Sequence, residues 1–216
     1  MSDIVDFDRT VALNKLRLHG RLSYDDFLVL YDSAHAEWLD GEVRIMPPVD
    51  RKHQRIIITL LTAIGHYAGG HGGEVLTAPF QMRLQELRRG RQPDLIYVGS
   101  EQLGQLTTNF LDGPASLVVE VVSAETKVTD TCEKFSEYQI AGVKEYWIID
   151  PDDRKCSFYV LNAAGMYIEQ QISANEKYAS VVLPGLTIDT RWFWRLRPPG
   201  PVEIMNAIAL SESEGE

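Results

Sequence analysis

The sequence contains only two cysteines, Cys132 and Cys156, and neither lies in a CxxC pair or beside a histidine. This scarcity argues against a zinc site or a disulfide framework and fits the reducing cytoplasm. No apolar run approaches about 18 residues, and the first ten residues lack the basic-then-apolar order of a secretory signal. We therefore predict a cytoplasmic protein with no membrane partner.

Basic residues are also scarce, because 21 lysines and arginines stand against 31 aspartates and glutamates, a formal net charge of -10. Such a surface repels nucleic acid at long range, which disfavours a protein that coats DNA nonspecifically. An enzyme that reaches phosphates through a bound divalent cation is still allowed, since the cation reverses the sign of the local field.

The chain lacks internal repeats and Ser/Gly-rich linkers, and its 216 residues with 44% hydrophobic content suit one large domain. We predict a lead-in over residues 1–20, a single domain over 21–197 and a tail over 198–216. The acidic, small residues at the end of the tail predict disorder there.

Three helices are predicted from spacing and capping residues. The first begins at Ser23, and the second, after Pro47-Pro48, places isoleucines and leucines at helical spacing until Gly69-Gly70. The third has Asp130 as its N-cap, Glu133 completing a capping box and Gly142 as its C-terminal stop.

Short strands account for most of the remaining chain. Asp40-Gly41 between alternating segments is a strong signal for a hairpin turn. The other predicted strands are EVLTAPFQMRL, PDLIYV, SLVVEVV, EYWIID, CSFYVLN, MYIEQQI and YASVVL. The order of helix, several strands, helix and strand indicates the α/β class, with a mixed sheet flanked by helices.

Glu120 stands inside the apolar run LVVEVV. A buried, unpaired carboxylate costs several kcal/mol, so Glu120 needs a cationic partner, a proton or a metal. Asp94 raises the same question at the start of PDLIYV, and the short connections between the two segments favour neighbouring strands. Two converging carboxylates would form a hard-oxygen site of the kind that Mg²⁺ takes.

A lysine beside such a site would orient or deprotonate a bound water. The residue that shares a strand face with Glu120 is Val122, which does neither. The nearest candidate is Lys134, in the first turns of the following helix, and the less constrained alternative is Lys127, in a loop. Lys134 as a purely structural salt-bridge partner of Glu120 remains open.

An ordered set of motifs carries a resemblance to a known family. PDLIYV, GPASLVVEVVSAET and DTCEKFSEYQIAGVKEYWIIDP resemble the restriction endonuclease family abundant in cyanobacteria, a branch of the PD-(D/E)xK nuclease-like superfamily. The similarity extends to EWLDGEVRIMPP with His53 after it, and to VVLPGLTIDT. It covers roughly residues 22–195.

The resemblance implies a restriction-endonuclease-like core of helix, three-stranded meander, helix and strand, to which this chain adds an N-terminal hairpin and C-terminal strands. It implies hydrolysis of nucleic acid, with DNA expected, and one or two Mg²⁺ or Mn²⁺ ions. Asp94 and Glu120 match the metal-binding catalytic acids. Val122 replaces the superfamily's lysine, and Lys134 matches the helix lysine thought to substitute for it.

Other residues have two interpretations each. Glu42 is a further metal ligand by resemblance, or a solvated acid beside the hairpin turn. His53 lies on the apolar face of its helix, as a core or capping residue or as a substrate contact. Arg88, Arg89 and Arg91 would hold a phosphate near the metal, or form a solvated hairpin tip.

Two residue groups are interpreted as structural. Trp192, Phe193 and Trp194 are expected to pack or to form a subunit contact, rather than to stack on bases. Asp130 is explained by helix capping alone.

Two functional hypotheses remain. The first is a metal-dependent nuclease in which Asp94 and Glu120 bind Mg²⁺, Lys134 positions the attacking water, and Glu42 or His53 assists. The second is a catalytically inactive relative that binds nucleic acid or a protein, favoured by the net charge and by Val122. For the nuclease a homodimer is expected, because many such enzymes cut duplexes as two-fold dimers.

Overall fold

The computed structural model describes residues 9–16, 20–31 and 34–213, without the side chains of 209–213. The helices are α1 (9–16), α2 (Tyr24–Tyr31), α3 (Arg51–His71), α4 (Lys134–Ala141) and α5 (Pro201–Ser213). The strands are β1 (Ala36–Leu39), β2 (Glu42–Ile45), β3 (Glu74–Thr77), β4 (Gln81–Leu84), β5 (Arg89–Arg91), β6 (Leu95–Val98), β7 (Phe110–Asp112), β8 (Leu117–Val121), β9 (Glu145–Asp150), β10 (Lys155–Leu161), β11 (Tyr167–Gln170), β12 (Lys177–Ala179) and β13 (Thr187–Asp189). No described helix is both long and apolar enough to cross a bilayer.

The main sheet has the strand order β11-β10-β9-β8-β6-β3. β3, β6 and β8 form an antiparallel meander, and β9 adds to β8 in parallel after the crossover through α4. A second sheet, β2-β1-β5-β4-β7, contains the N-terminal hairpin, and β12 pairs with β13. The predicted mixed α/β architecture, with its extra hairpin and C-terminal strands, is confirmed.

Alternate residues of the central strands face two separate hydrophobic clusters, because successive side chains of a strand point to opposite faces. Leu117, Val119 and Val121 of β8 pack in a cluster with α3 and α5. Val118 and Val122 pack in the other cluster, with Tyr138 of α4. Even-numbered residues of β8 therefore face α4.

The hairpin at Asp40-Gly41 is confirmed. Both residues have positive φ, 50° and 94°, the conformation that tight hairpin turns require. The cap of α2 is also as predicted, since the backbone N–H of Asp26 donates to Ser23 Oγ at 3.1 Å. The rest of that predicted segment includes residues 32–33, which lie outside the described part of the chain.

The predicted end of α3 at Gly69-Gly70 is wrong. The helix continues through both glycines to His71, and Gly72 caps it with φ 74°. The cost of a helical glycine, about 1 kcal/mol, is offset by the apolar face of a long helix packed on the sheet. Left-handed φ, which only glycine adopts readily, is needed at Gly72.

The end of the chain also differs from the prediction of a tail over 198–216. Residues 201–213 form α5, which packs on α3, and Ile204 and Ile208 are buried in the cluster that includes α3. Residues 214–216 lie outside the described part. Trp192 is buried in the same cluster, and Phe193 and Trp194 pack against it, so the predicted packing role of these aromatics is confirmed.

The burial of α5 can be tested by truncating Ile204, which is 1% exposed. We expect Ile204→Ala to lower the free energy of unfolding in urea by about 2–5 kcal/mol, through lost burial and a cavity. Val202→Ala on the same helix is the control, because Val202 is 65% exposed and should change stability by about 0.5 kcal/mol or less. Equal effects of the two substitutions would contradict the observed packing.

Candidate active site

Asp94 and Glu120 converge at one end of β6 and β8. Leu95 pairs with Val119 in this antiparallel register, so the next pair outward is Asp94 and Glu120. Opposite residues of an antiparallel pair project on the same face, here the face toward α4. The Val121 N–H donates to Asp94 Oδ2 at 2.7 Å. The carboxylates line one cavity of about 350 Å³.

The helix that follows β8 begins at residue 127 and passes through a π-helical turn over Thr129–Glu133 before α4. Asp130 therefore lies inside the helix, and its predicted role as N-cap is wrong. π-Helical turns are rare and occur often at functional sites. Asp130 is 2% exposed and lines the same cavity, while Tyr146 OH donates to its backbone carbonyl at 2.9 Å.

Lys134 is buried at the centre of this acidic group. Its Nζ lies 2.8 Å from Glu120 Oε1, 3.1 Å from Asp130 Oδ1 and 3.2 Å from Glu37 Oε1. Asp130 and Lys134 are four residues apart, a spacing that places both on one helix face. The structure thus brings the predicted Asp94, Glu120 and Lys134 together, and it adds two acids that sequence reasoning missed.

Glu37 was missed because it stands in an ordinary hairpin strand, AEWL, with no alternation or motif that marks its burial. Its side chain is 0% exposed and bridges two cations, with Oε2 2.6 Å from Arg91 Nη1. The only available signal for Asp130 was its i,i+4 spacing to Lys134, and that signal is also compatible with a surface pair.

The three arginines occupy different environments. Arg91 is 1% exposed at its side chain and binds Glu37 and Glu137, so neither a phosphate contact nor a solvated tip describes it. Arg89 also binds Glu137, at 2.6 Å. Arg88 is exposed and pairs with Asp40, as a solvated tip would.

His53 lies in the cavity with Asp94 and Glu120, whereas Glu42 lies outside it. His53 Nε2 lies 2.9 Å from Asp94 Oδ2, and its backbone N–H donates to the capping carboxylate of Asp50. His53 is thus a buried residue in the first turn of α3, Asp50 rather than His53 caps the helix, and a substrate contact of His53 stays a prediction. Glu42 is exposed and is not among the residues that line the cavity with Asp94 and Glu120, so the structure gives it no place as a metal ligand there.

Burial and neighbouring charge set the ionisation of the group. Burial raises the pKa of Glu120 well above its usual range, and the carboxylates of Asp130 and Asp94 raise it further, against the opposing effect of Lys134. Burial would lower the pKa of Lys134, but Glu120, Glu37 and Asp130 outweigh it and the pKa is raised. The neighbouring carboxylates thus favour the charged form of Lys134.

Burial likewise raises the pKa of Tyr138, so its hydroxyl stays protonated and donates to Glu120 Oε1 at 2.9 Å. For Glu37, burial would raise the pKa, but Lys134 and Arg91 outweigh it and the pKa is lowered. Glu37 is thus the firmly ionised partner of Lys134.

A second buried glutamate shows what a fully satisfied structural carboxylate looks like in this fold. Glu145 accepts from Trp147, Tyr178, Ser180 and the backbone N–H groups of residues 181 and 182, with donors on both oxygens. These bonds also explain why the predicted strand YASVVL ends as β12 at Ala179.

Glu120 and Asp94 are bonded on one side only. Within the described residues, the donors to Glu120, Lys134 and Tyr138, both contact Oε1. The contacts of Asp94, from Val121 and His53, both involve Oδ2. Each acid thus has one oxygen held by protein and a second oxygen to which no described residue donates, and both acids line the same cavity.

These residues fit a divalent cation of the hard type, which prefers carboxylate oxygens. Among the described residues, no three His, Cys, Asp or Glu side chains are grouped to hold one metal ion. A cation at Asp94 and Glu120 would therefore need further oxygen ligands, as is usual for Mg²⁺ at phosphate-processing sites, where water and substrate supply them.

The raised pKa of Glu120 predicts that Glu120→Gln stabilises the protein in the absence of divalent cations. A folded-state pKa above the unfolded value of about 4.3 means that the unfolded state ionises first as pH rises. The variant's advantage should be absent at about pH 3 and grow with pH until Glu120 is fully ionised in the folded state. We expect its Tm at pH 8 to be a few degrees higher, since about 1 kcal/mol corresponds to roughly 2–4 °C.

Melting curves of both proteins in EDTA, measured across that pH range, would check this. A Tm difference that is independent of pH, or a variant that is less stable at pH 8, would contradict the assigned burial of a charge at Glu120.

Comparisons with known proteins bear on the fold and the family of this chain. The fold matches the crystal structure of "a putative nuclease belonging to DUF820 from Anabaena variabilis ATCC 29413", with a TM-score of 0.66 at 15% identity, over 79% of this chain and 96% of that one. A search of curated proteins finds no match. The family model "Uma2: Putative restriction endonuclease" matches residues 24–191. Because that match spans most of the chain, the protein belongs to the Uma2 family.

Proposed function

We propose that this protein is a divalent-cation-dependent endonuclease that hydrolyses phosphodiester bonds of nucleic acid, with DNA as the expected substrate. The observation that carries the proposal is the pair Asp94 and Glu120, which line one cavity and are each held through one carboxylate oxygen. Membership of a family described as a restriction endonuclease supports the reaction class.

Asp94 and Glu120 would hold the cation, which when bound lowers the pKa of a coordinated water and offsets negative charge on a phosphate. Lys134 is the residue that this chain offers for electrostatic support. Its positive charge holds the Glu120 carboxylate in place and favours a water or phosphate oxygen at the cavity wall. His53 positions Asp94 through the contact of Nε2 with Oδ2.

A lysine at this place has two possible roles, to orient a bound water or to deprotonate it. A raised pKa is unfavourable for a general base, since a base must lose its proton near the working pH. We therefore assign Lys134 to positioning and charge stabilisation, and we assign no general base to this chain.

The first experiment measures cation binding and cleavage in parallel. We expect the wild-type protein to bind Mn²⁺ in calorimetry and to nick supercoiled plasmid only when Mg²⁺ or Mn²⁺ is present. Glu120→Ala should lose at least about 100-fold in nicking rate, because it removes a cation ligand. Glu42→Ala is the matched control, since Glu42 is exposed outside the cavity, and it should behave as wild type.

Cleavage that persists in EDTA, or that is equal in Glu120→Ala and wild type, would reject the proposed mechanism. Such a result would identify a contaminating nuclease or a different site.

The role of Lys134 is tested by Lys134→Met, which keeps the length of the buried side chain and removes its charge. We expect the nicking rate to fall by about 10²–10³, the typical effect of removing one stabilising donor, in a variant that still binds Mn²⁺ and that circular dichroism and Tm show to be folded. Lys127→Met is the control, because Lys127 is exposed and pairs with Asp150 and Asp153. An unchanged nicking rate in Lys134→Met would remove this residue from the mechanism.

One observation favours a second candidate function. The ion pairs of Lys134 with Glu120, Asp130 and Glu37 partly neutralise the acids without a cation. A catalytically inactive nuclease-like protein that binds nucleic acid or a protein partner would keep the same arrangement. Plasmid binding without nicking, at any concentration of Mn²⁺, is the outcome that would favour this candidate.

A further inference from the structure

Gln92 is buried beside the acidic pair and has an unusual hydrogen-bonding state. Its side chain is 2% exposed, and Nε2 donates to the backbone carbonyls of Ala34 and Pro79 at 3.2 and 2.8 Å. These two bonds fix the orientation of the amide, because the opposite orientation would place Oε1 against two carbonyl oxygens. Oε1 is then turned away from both, and it has no hydrogen-bond partner in the part of the chain that the structure describes.

The position of Gln92 directs attention to the cavity. Gln92 lies two residues before Asp94 in the chain, and it lines the cavity of about 350 Å³ together with Asp94 and Glu120. Its backbone N–H donates to Glu37 Oε1 at 3.3 Å, which attaches this segment to the group around Lys134. Gln92 is thus fixed through its backbone by Glu37 and through its side chain by the carbonyls of Ala34 and Pro79.

A buried carbonyl oxygen without a partner costs about 1–3 kcal/mol, so a ligand at this position would recover that energy. Beside two carboxylates the favourable ligand is a cation or a water that a cation holds, since an anion would be repelled. Amide oxygens are hard ligands of the type that Mg²⁺, Mn²⁺ and Ca²⁺ accept. The two carboxylates alone leave most of the coordination sphere unfilled.

We propose that Gln92 Oε1 is a third, neutral oxygen ligand of the divalent cation at Asp94 and Glu120, in direct contact or through one water. This inference rests on the proposed cation site and extends it. It assigns to Gln92 a role in binding and selecting the cation.

Gln81 provides a matched comparison within the same fold. It is 4% exposed, its Nε2 donates to the carbonyl of Ala36 at 2.8 Å, and its Oε1 likewise has no hydrogen-bond partner among the described residues. Gln81 is not among the residues that line the cavity with Asp94 and Glu120. Both glutamines donate from Nε2 to a backbone carbonyl near the start of β1, that of Ala36 for Gln81 and that of Ala34 for Gln92. They differ because Gln92 lines the cavity with Asp94 and Glu120 and Gln81 does not.

The experiment compares Gln92→Met, Gln81→Met and Gln92→Glu with wild type, using calorimetry with Mn²⁺ on the full chain. Gln92→Met should raise the Mn²⁺ dissociation constant about tenfold or more, as typical for loss of a supporting ligand. Gln81→Met should leave it unchanged, although both substitutions remove a buried amide. Gln92→Glu keeps one oxygen for the cation but loses both donations by Nε2, so it should bind Mn²⁺ more tightly than Gln92→Met does. Circular dichroism and Tm establish that each variant is folded.

Unchanged Mn²⁺ affinity in Gln92→Met, or equal weakening in both methionine variants, would overturn the assignment of Gln92. If Glu120→Ala abolishes binding and Gln92→Met does not, only the Gln92 ligand fails and the proposed function stands. Failure of the wild-type protein to bind Mn²⁺ would overturn the cation site as a whole, and with it this ligand.

Discussion

The ammonium group of Lys134 allows several carboxylates to be buried in one place. Burying an isolated charge costs several kcal/mol even after relaxation, and three acids without a cation would repel each other strongly. Lys134 lies within 3.2 Å of Glu37, Glu120 and Asp130, and it is 1% exposed at its side chain. The remaining arrangement of the site depends on this contact, because it joins the N-terminal hairpin, the central strand β8 and the helix that follows β8.

A second buried cation extends the group toward the other sheet. Arg91 contacts Glu37 on one side and Glu137 on the other, so Glu37 is shared between Lys134 and Arg91. The carboxylate of Glu37 is thus fixed by two charge-assisted contacts, which are shorter and stronger than neutral ones. The result is a continuous chain of ion pairs between the two sheets. This chain makes the N-terminal hairpin a structural component of the site.

On the cavity side, Asp94 and Glu120 have fewer hydrogen-bond donors from the described residues than two carboxylates can accept. Glu145, elsewhere in the fold, has donors on both oxygens, whereas the protein contacts of Glu120 and Asp94 involve one oxygen each. Burial raises the pKa of Glu120, and the neighbouring carboxylates of Asp130 and Asp94 raise it further. Functional sites of proteins commonly lower the stability of the fold, because polar groups that await a ligand lack partners until the ligand binds. The fold stabilises this deficit through two extensive hydrophobic clusters on either side of the sheet.

Features set by residues close together in the sequence were predicted correctly more often than features set by tertiary packing. Glu120 and Asp94 were identified because a carboxylate in an apolar strand violates the local pattern, and short connections favoured neighbouring strands, as β6 and β8 are. Lys134 was reached through helix geometry and family resemblance. Gly69-Gly70 failed as a helix stop because tertiary packing of α3 outweighs local propensity.

The amino-acid sequence by itself determined the α/β class, the hairpin at Asp40-Gly41, and the anomalous acids at positions 94 and 120, since each is written in local periodicity or turn chemistry. Only the tertiary structure decided the partners of those acids. Glu37 lies 97 residues before Lys134, and no local pattern in the sequence links the two residues. Their contact exists because two sheets pack together and remove water from between charges, which is a property of the folded chain as a whole.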